Sequence, residues 1–259
     1  MRPLLEIAGL SKRFGGVLAT DGLSLDVRSH EIHALIGPNG AGKTTALSQI
    51  AGELSSDAGR IFLDGRDLTD LDAVRRVRAG IVRTFQVPRL LADETALENV
   101  AIAVQAAQKR NYALFDKART DRTRIDPALQ ILEKIGMEDR AAVVAADLSH
   151  GEHKLLELGI ALALNPRVLL LDEPMAGLGA NESARLAPFL KTLREQFAIL
   201  IVEHDMDVVF SLADRITVLV YGRAIVTGSA DEVRNHPEVI AAYLGHGDEA
   251  AFAGSVTRK

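Results

Sequence analysis

The chain of 259 residues carries 30 Lys and Arg against 35 Asp and Glu, a formal net charge of −5, with 47% hydrophobic and 25% charged residues. That balance excludes a disordered tail, a fibrous repeat and a collagen-like chain, and the length suffices for one large α/β domain with a sizeable core. There is no cysteine for a disulfide, a thiolate metal site or a nucleophile, no apolar run nears the roughly 20 residues that span a bilayer, and Arg2, Glu6 and Lys12 do not fit a signal peptide.

Leu5-Ile7 and Leu23-Leu25-Val27 alternate with polar residues, which predicts half-exposed antiparallel strands. Ile32-Ile36 is continuous and predicts a strand covered on both faces. Thr45-Ala51 predicts a short helix closed by Gly52, and Ile61-Leu63 another alternating strand. From about Thr95 to Leu164 the spacing is helical, with helices expected at Ala96-Gln108, Pro127-Ile135 and Glu152-Leu164, Gly136 ending the second. Val168-Leu171, Ala198-Val202 and Ile216-Val220 return to the continuous pattern of a buried parallel sheet. The fold expected is α/β, with a small antiparallel β lobe and a helical insertion between two sheet strands. Periodicity is lost after Leu244, which reads as a loose tail.

Between the strand Ile32-Ile36 and the helix after it lies Gly37-Pro38-Asn39-Gly40-Ala41-Gly42-Lys43-Thr44, a G-x-x-x-x-G-K-[ST] segment followed by Thr45. Phosphates need a tightly turned backbone whose N–H groups converge, hence the glycines, and a helix N-terminus adds a favourable dipole. Lys43 is expected to reach the β- and γ-phosphates and Thr44 to place its hydroxyl on Mg²⁺. A glycine-rich turn with an exposed lysine is the plainer alternative, and the strand–loop–helix context argues against it.

Val168-Leu171 runs into Asp172-Glu173 at the strand end where parallel sheets bind ligands. Asp172 is expected to complete the Mg²⁺ shell through water, and Glu173 to orient or deprotonate the attacking water. A strand ending in solvated acids is the alternative without the phosphate loop.

Leu148-Ser149-His150-Gly151-Glu152-His153-Lys154 contains Ser149-x-x-Glu152, a capping box, at a helix start that also suits an anion. This segment resembles the Leu-Ser-Gly-Gly-Gln signature of ATP-binding cassette (ABC) ATPases, with His150 and Glu152 departing from it. The other elements of that family stand in order along the chain. Arg83-Thr84-Phe85-Gln86 resembles its Q-loop, which implies that Gln86 meets Mg²⁺ or the attacking water. His204 resembles the histidine that contacts the γ-phosphate. Phe14 stands where the family stacks a ring on adenine, and Ala176-Gly177-Leu178-Gly179 occupies the D-loop with Gly179 in place of an Asp or Asn.

The resemblance implies a P-loop NTPase (RecA-like) core with a small antiparallel β lobe over about residues 4–85 and 165–245. It implies a helical subdomain over about residues 86–164 and a tail at 246–259. Ser149 and Gly151 become phosphate contacts to ATP held by the phosphate loop of a second ABC ATPase. A heterodimer is expected, with a homodimer as the alternative. Arg83-Gln86, Val202-Met206 and Pro237-Gly245 further resemble the ATPase subunits of branched-chain amino-acid importers. That implies ATP and Mg²⁺ as cofactors, integral-membrane permease partners, indirectly a substrate-binding protein, and a cytoplasmic, peripheral place on the inner face of the cell membrane. A lipid or lipopolysaccharide exporter and an ABC ATPase serving no permease are the rivals.

Arg75, Arg76, Arg78, Arg83 and Arg89, and then Lys109, Arg110, Lys117, Arg119, Arg122 and Arg124, form two basic stretches. A solvated face is the expectation for both, with contact to a membrane surface or an acidic loop as the alternative. Net charge −5 and a pI near 5.8 argue against nucleic acid. Val87-Pro88 and Leu90-Leu91 are the expected docking residues for a permease helix.

Overall fold

Leu5, Ile7 and Leu10 are buried in Leu5–Phe14 (β1), and Leu23, Leu25 and Val27 in Val17–Val27 (β2), the inward half of each alternating pattern. An irregular register between Ile7 and Leu10 lets Leu10 stay inside. With Ala58–Leu63 (β4) and Arg66–Asp67 (β5) these strands form an antiparallel sheet of order β2-β1-β4-β5, interrupted in sequence by the fully buried Ile32–Ile36 (β3). The computed structural model describes residues 2–84, 90–108 and 121–244, so the tail at 246–259 lies outside the description.

β3 is central to a second, six-stranded sheet with Ile81–Arg83 (β6), Val168–Asp172 (β7), Ala198–Val202 (β8), Arg215–Val220 (β9) and Arg223–Gly228 (β10). Its order is β10-β9-β3-β8-β7-β6, parallel throughout except for the β9–β10 hairpin. The pleat sorts its side chains between two cores. Leu35, Leu170, Leu200 and Val202 pack with the antiparallel lobe and with Leu47 and Ile50 of Lys43–Ala51 (α1). Ile36, Leu169, Leu171, Ile199 and Ile201 pack with the helical middle of the chain. Both faces are covered, which is why these strands read as unbroken apolar runs.

Ala73–Ala79 (α2) precedes β6. The helical middle then separates β6 from its neighbour β7: Ala96–Ala107 (α3), Arg122–Lys134 (α4) and His150–Ala163 (α5). Ala180–Leu193 (α6), Met206–Leu212 (α7), Ala230–Arg234 (α8) and Pro237–Leu244 (α9) complete the fold.

One expected boundary is corrected. α4 starts at Arg122, capped by Asp121, whose carboxylate accepts from Thr123 N, and Pro127 sits inside it. Proline denies the Thr123 carbonyl its i+4 donor, and Gln108 Nε2 takes that carbonyl at 2.9 Å. Gly136 lies just past the helix in the left-handed conformation, as expected.

Candidate nucleotide site

Strand register assembles the candidate residues. Leu35 of β3 and Asp172 of β7 both pair with Val202 of β8. The three strands therefore end level at one edge, and the segments leaving them emerge side by side, about 5 Å apart per strand. Those segments are Gly37–Thr44 after β3, Glu173 after β7, and Glu203 and His204 after β8.

Two glycines of the loop are dictated by close backbone. A Cβ on Gly37 would stand 2.0 Å from the Leu219 carbonyl oxygen, and one on Gly42 2.0 Å from that of Ala19, with φ of 153° and 103°. Ala41 N closes a turn on Pro38 O and Gly222 N donates to Ala41 O, while Asn39 and Gly40 stand exposed. Gly42 caps α1 without a side-chain hydrogen bond, and the first turn of α1, Thr44 and Thr45 included, holds no acid. α3, α5 and α8 each have a capping box instead. Gly42 offers no side chain to the first amides of α1, and a helix start of this kind suits an anion. The Lys43 ammonium is buried and donates to Gly37 O at 2.7 Å and Pro38 O at 3.1 Å, which holds it across the loop.

Asp172, 2% exposed, accepts from Arg83 Nη2 at 2.7 Å. Arg83 is therefore internal and not part of a solvated face. Arg76 is internal too: its guanidinium donates to Gln49 O and Ile50 O at the end of α1 and to Leu71 O and Thr69 O. For these two arginines, and for Arg124, which is buried with Nη1 donating to Gln105 Oε1, the solvated-face expectation is corrected, because protein oxygens held in fixed geometry are better partners than water.

Glu173 leaves β7 with φ of 49°, its N–H still bonded to Val202 O. His204 Nδ1 lies 3.9 Å from Glu173 Oε2 and 3.8 Å from Glu203 Oε2. Sequence reasoning passed over Glu203 as a site residue. It is 1% exposed and accepts from Met175 N and His204 N, which seats the histidine loop against the segment after Glu173. Burial pushes its carboxyl up, against the pull of those two N–H groups. Lys154 was also passed over: its buried ammonium donates to Glu173 O at 3.2 Å, which joins the first turns of α5 to the acidic end of β7.

Ser149 caps α5, with both halves of the capping box formed: Oγ accepts from Glu152 N, and Ser149 N donates to Glu152 Oε2 at 2.8 Å. Glu152 also accepts from Arg140 at 2.6 Å, and the Ser149 amide above all holds its carboxyl below the usual range. Gly151 abuts Glu182 of α6, where a Cβ would stand 2.1 Å from Oε1. The His150 ring lies on Ala176–Gly177, and Gly179 N donates to Glu182 Oε2.

Phe14 is half-exposed at the tip of the β1–β2 hairpin, with Lys12 Nζ 5.8 Å from its ring centre. Leu91 is exposed, whereas Leu90 packs against the core. Phe85, Gln86, Val87, Pro88 and Arg89 lie outside the described residues, as do Lys109, Arg110, Lys117 and Arg119. No helix among the described residues is long and apolar enough to cross a membrane.

Residues 20–176 match the ABC transporter family, and residues 225–249 match the branched-chain amino acid ATP-binding cassette transporter family. The chain is 38% identical over 251 residues to the high-affinity branched-chain amino acid transport ATP-binding protein BraF of Pseudomonas aeruginosa, covering 94% of this chain and 98% of that one. To LivG of Escherichia coli, which carries the same description, it is 38% identical over 253 residues, again covering 94% and 98%. A nucleotide-free ATP-binding cassette from an ABC transporter superposes with a TM-score of 0.83 at 30% identity, over 93% of this chain and 99% of that one. The ADP conformation of MJ1267, an ATP-binding cassette of an ABC transporter, superposes with a TM-score of 0.82 at 30% identity, over 95% and 100%. The family match over residues 20–176 and these relatives, alike over nearly the whole chain, show its kinship: the chain belongs to the ATP-binding proteins of the ABC transporter family.

Proposed function

We propose that this chain is the ATP-hydrolysing subunit of an importer for branched-chain amino acids or related amino acids and amides. The uncapped N-terminus of α1 behind the Gly37–Thr44 loop carries the ATPase reading. The match of residues 225–249 and the BraF and LivG relatives support the cargo class over an exporter or a cassette without a permease.

In this reading the loop amides from Gly37 to Thr45 and the Lys43 ammonium hold the phosphates, and Phe14 takes the adenine ring. Thr44 and Asp172, both hard oxygen donors, fit Mg²⁺, which binds one or two protein oxygens beside phosphates and water, with Gln86 as a further donor. Bound there, Mg²⁺ neutralises charge on the phosphates. Glu173 accepts a proton from the water that attacks the γ-phosphorus, and His204, held near Glu173, donates toward the γ-phosphate oxygens.

Ser149 and Gly151 complete the site of a second ABC ATPase, for which a related but different chain is proposed. ATP binding then closes the pair, and loss of the γ-phosphate opens it. The permease element seats in an apolar groove of about 680 Å³ between α2 and α5, lined in part by Val74, Val77, Ile160 and Leu164. That attachment places the chain on the cytoplasmic face of the membrane, and a substrate-binding protein delivers the cargo to the permease.

Glu173→Gln tests the catalytic assignment: turnover is lost and an ATP-bound dimer persists, whereas unchanged phosphate release sinks it. Hydrolysis stimulated by leucine or valine in membranes holding the chain, its permease and its binding protein tests the cargo; no stimulation by any such amino acid or amide overturns that part.

A further inference from the structure

Arg83 is the last residue of β6, and its side chain is 7% exposed. Nη2 donates to Asp172 Oδ2 at 2.7 Å, and Nη1 donates to Ser48 Oγ at 2.8 Å and to the Glu53 carboxylate. Taking a guanidinium out of water is costly unless its partners are charged and well aimed. Here two carboxylates and a hydroxyl take its two terminal nitrogens, and the planar fork fixes their relative positions as a lysine ammonium cannot. Ser48 belongs to α1, the helix that opens in the phosphate loop, and Glu53 lies just past its end. One side chain therefore ties the strand leading toward Gln86, the phosphate-loop helix and the buried carboxylate of β7. Arg83 and Glu53 also line the apolar groove between α2 and α5.

We propose that Arg83 is a positioning residue for the metal carboxylate: it holds Asp172 Oδ2 and, through Glu53, anchors that carboxylate to the groove wall. This rests on Asp172 being the Mg²⁺ carboxylate. Groups that orient a metal-binding carboxylate change metal affinity by about 10–100-fold when removed.

The test is the affinity of the full chain for a fluorescent ATP analogue, measured in Mg²⁺ and again in EDTA, the ratio isolating the metal's contribution. Arg83→Met is expected to lower that ratio about tenfold or more while the affinity in EDTA stays within about twofold. Arg83→Lys keeps one donor and lowers it about threefold, and Glu53→Gln, which frees only the far arm, about twofold. Arg83→Met adds no further loss on top of Asp172→Asn, because the two act through one carboxylate. If Asp172→Asn leaves the ratio unchanged, the metal reading fails and the proposal falls with it. If Asp172→Asn abolishes the ratio and Arg83→Met does not move it, the Arg83 proposal alone is overturned. Should Arg83→Met melt below the assay temperature, Arg83→Lys decides, a wild-type ratio being the overturning result.

Discussion

The backbones of Gly42 and Ala19 are in such close contact that any Cβ on Gly42 would stand 2.0 Å from the Ala19 carbonyl oxygen. No rotamer relieves a clash of backbone with a Cβ, and φ of 103° adds strain for any other residue. Gly42→Ala should therefore cost about 2–4 kcal/mol of stability and weaken nucleotide binding at least about tenfold, because β2 and the phosphate loop cannot both hold their places. Denaturant unfolding and titration with a fluorescent ATP analogue measure the two effects.

Ser149 has a capping role and a proposed phosphate-contact role, which substitution separates. Ser149→Ala removes the cap of α5 and should cost about 1 kcal/mol. Ser149→Asp keeps a cap but brings a carboxylate to the face proposed for the second subunit's phosphates. It should be as stable as wild type to within about 0.5 kcal/mol and yet fail to dimerise on ATP in the Glu173→Gln background. Thermal melts and size-exclusion chromatography check both; an ATP-dependent dimer of Ser149→Asp contradicts the role in phosphate contact.

His33, fully buried on β3, contributes a pH dependence. Arg215 can only donate, so Nδ1 accepts from it, and Nε2–H donates to Thr217 Oγ1 at 2.7 Å. Burial first, and then Arg215, lowers the pKa from 6.5 to about 4. Between those values the unfolded chain binds the proton and the folded chain does not, so stability falls as the pH drops from about 6.5 to about 4. The loss reaches about 3 kcal/mol at the acid end. Urea unfolding of wild type and His33→Gln at pH 7, 5.5 and 4.5 should show a shallower slope in the variant.

Arg76 caps the C-terminus of α1 from another helix by donating to Gln49 O and Ile50 O, and it also donates to Leu71 O and Thr69 O. Arg76→Met leaves those carbonyls, the two buried ones of α1 included, without that donor and should cost about 3 kcal/mol, a large share of an ordinary folding free energy. Chemical denaturation measures it. The nucleotide affinity of the remaining folded protein should stay within about threefold, since Arg76 grips the far end of α1.

What could be read from residue order was what is local along the chain. The phosphate loop, the Asp172-Glu173 strand end and the Ser149 capping box each lie within one short segment, where spacing alone carries the chemistry. Arg83 and Asp172 are 89 positions apart, and nothing in either segment's pattern announces that they meet. Arg76 and Arg83 therefore looked like a solvated basic stretch until tertiary structure supplied their acceptors. Glu203 and Lys154 escaped for the same reason: their partners are main-chain atoms of the Glu173–Met175 segment. Pro127 misled because proline favours the first turn, and the remedy for its missing N–H, Gln108, comes from the preceding helix.

The helical middle is the crossover connection itself, since β6 and β7 are parallel neighbours and residues 84–167 run between them. Chain growth places β6 before any strand it will pair with, and closing so long a connection carries an entropy cost. β6 is short and, among the described residues, pairs with β7 alone at the edge of its sheet. Asp172 and its arginine thus meet only across that crossover, when β6 and β7 are brought together.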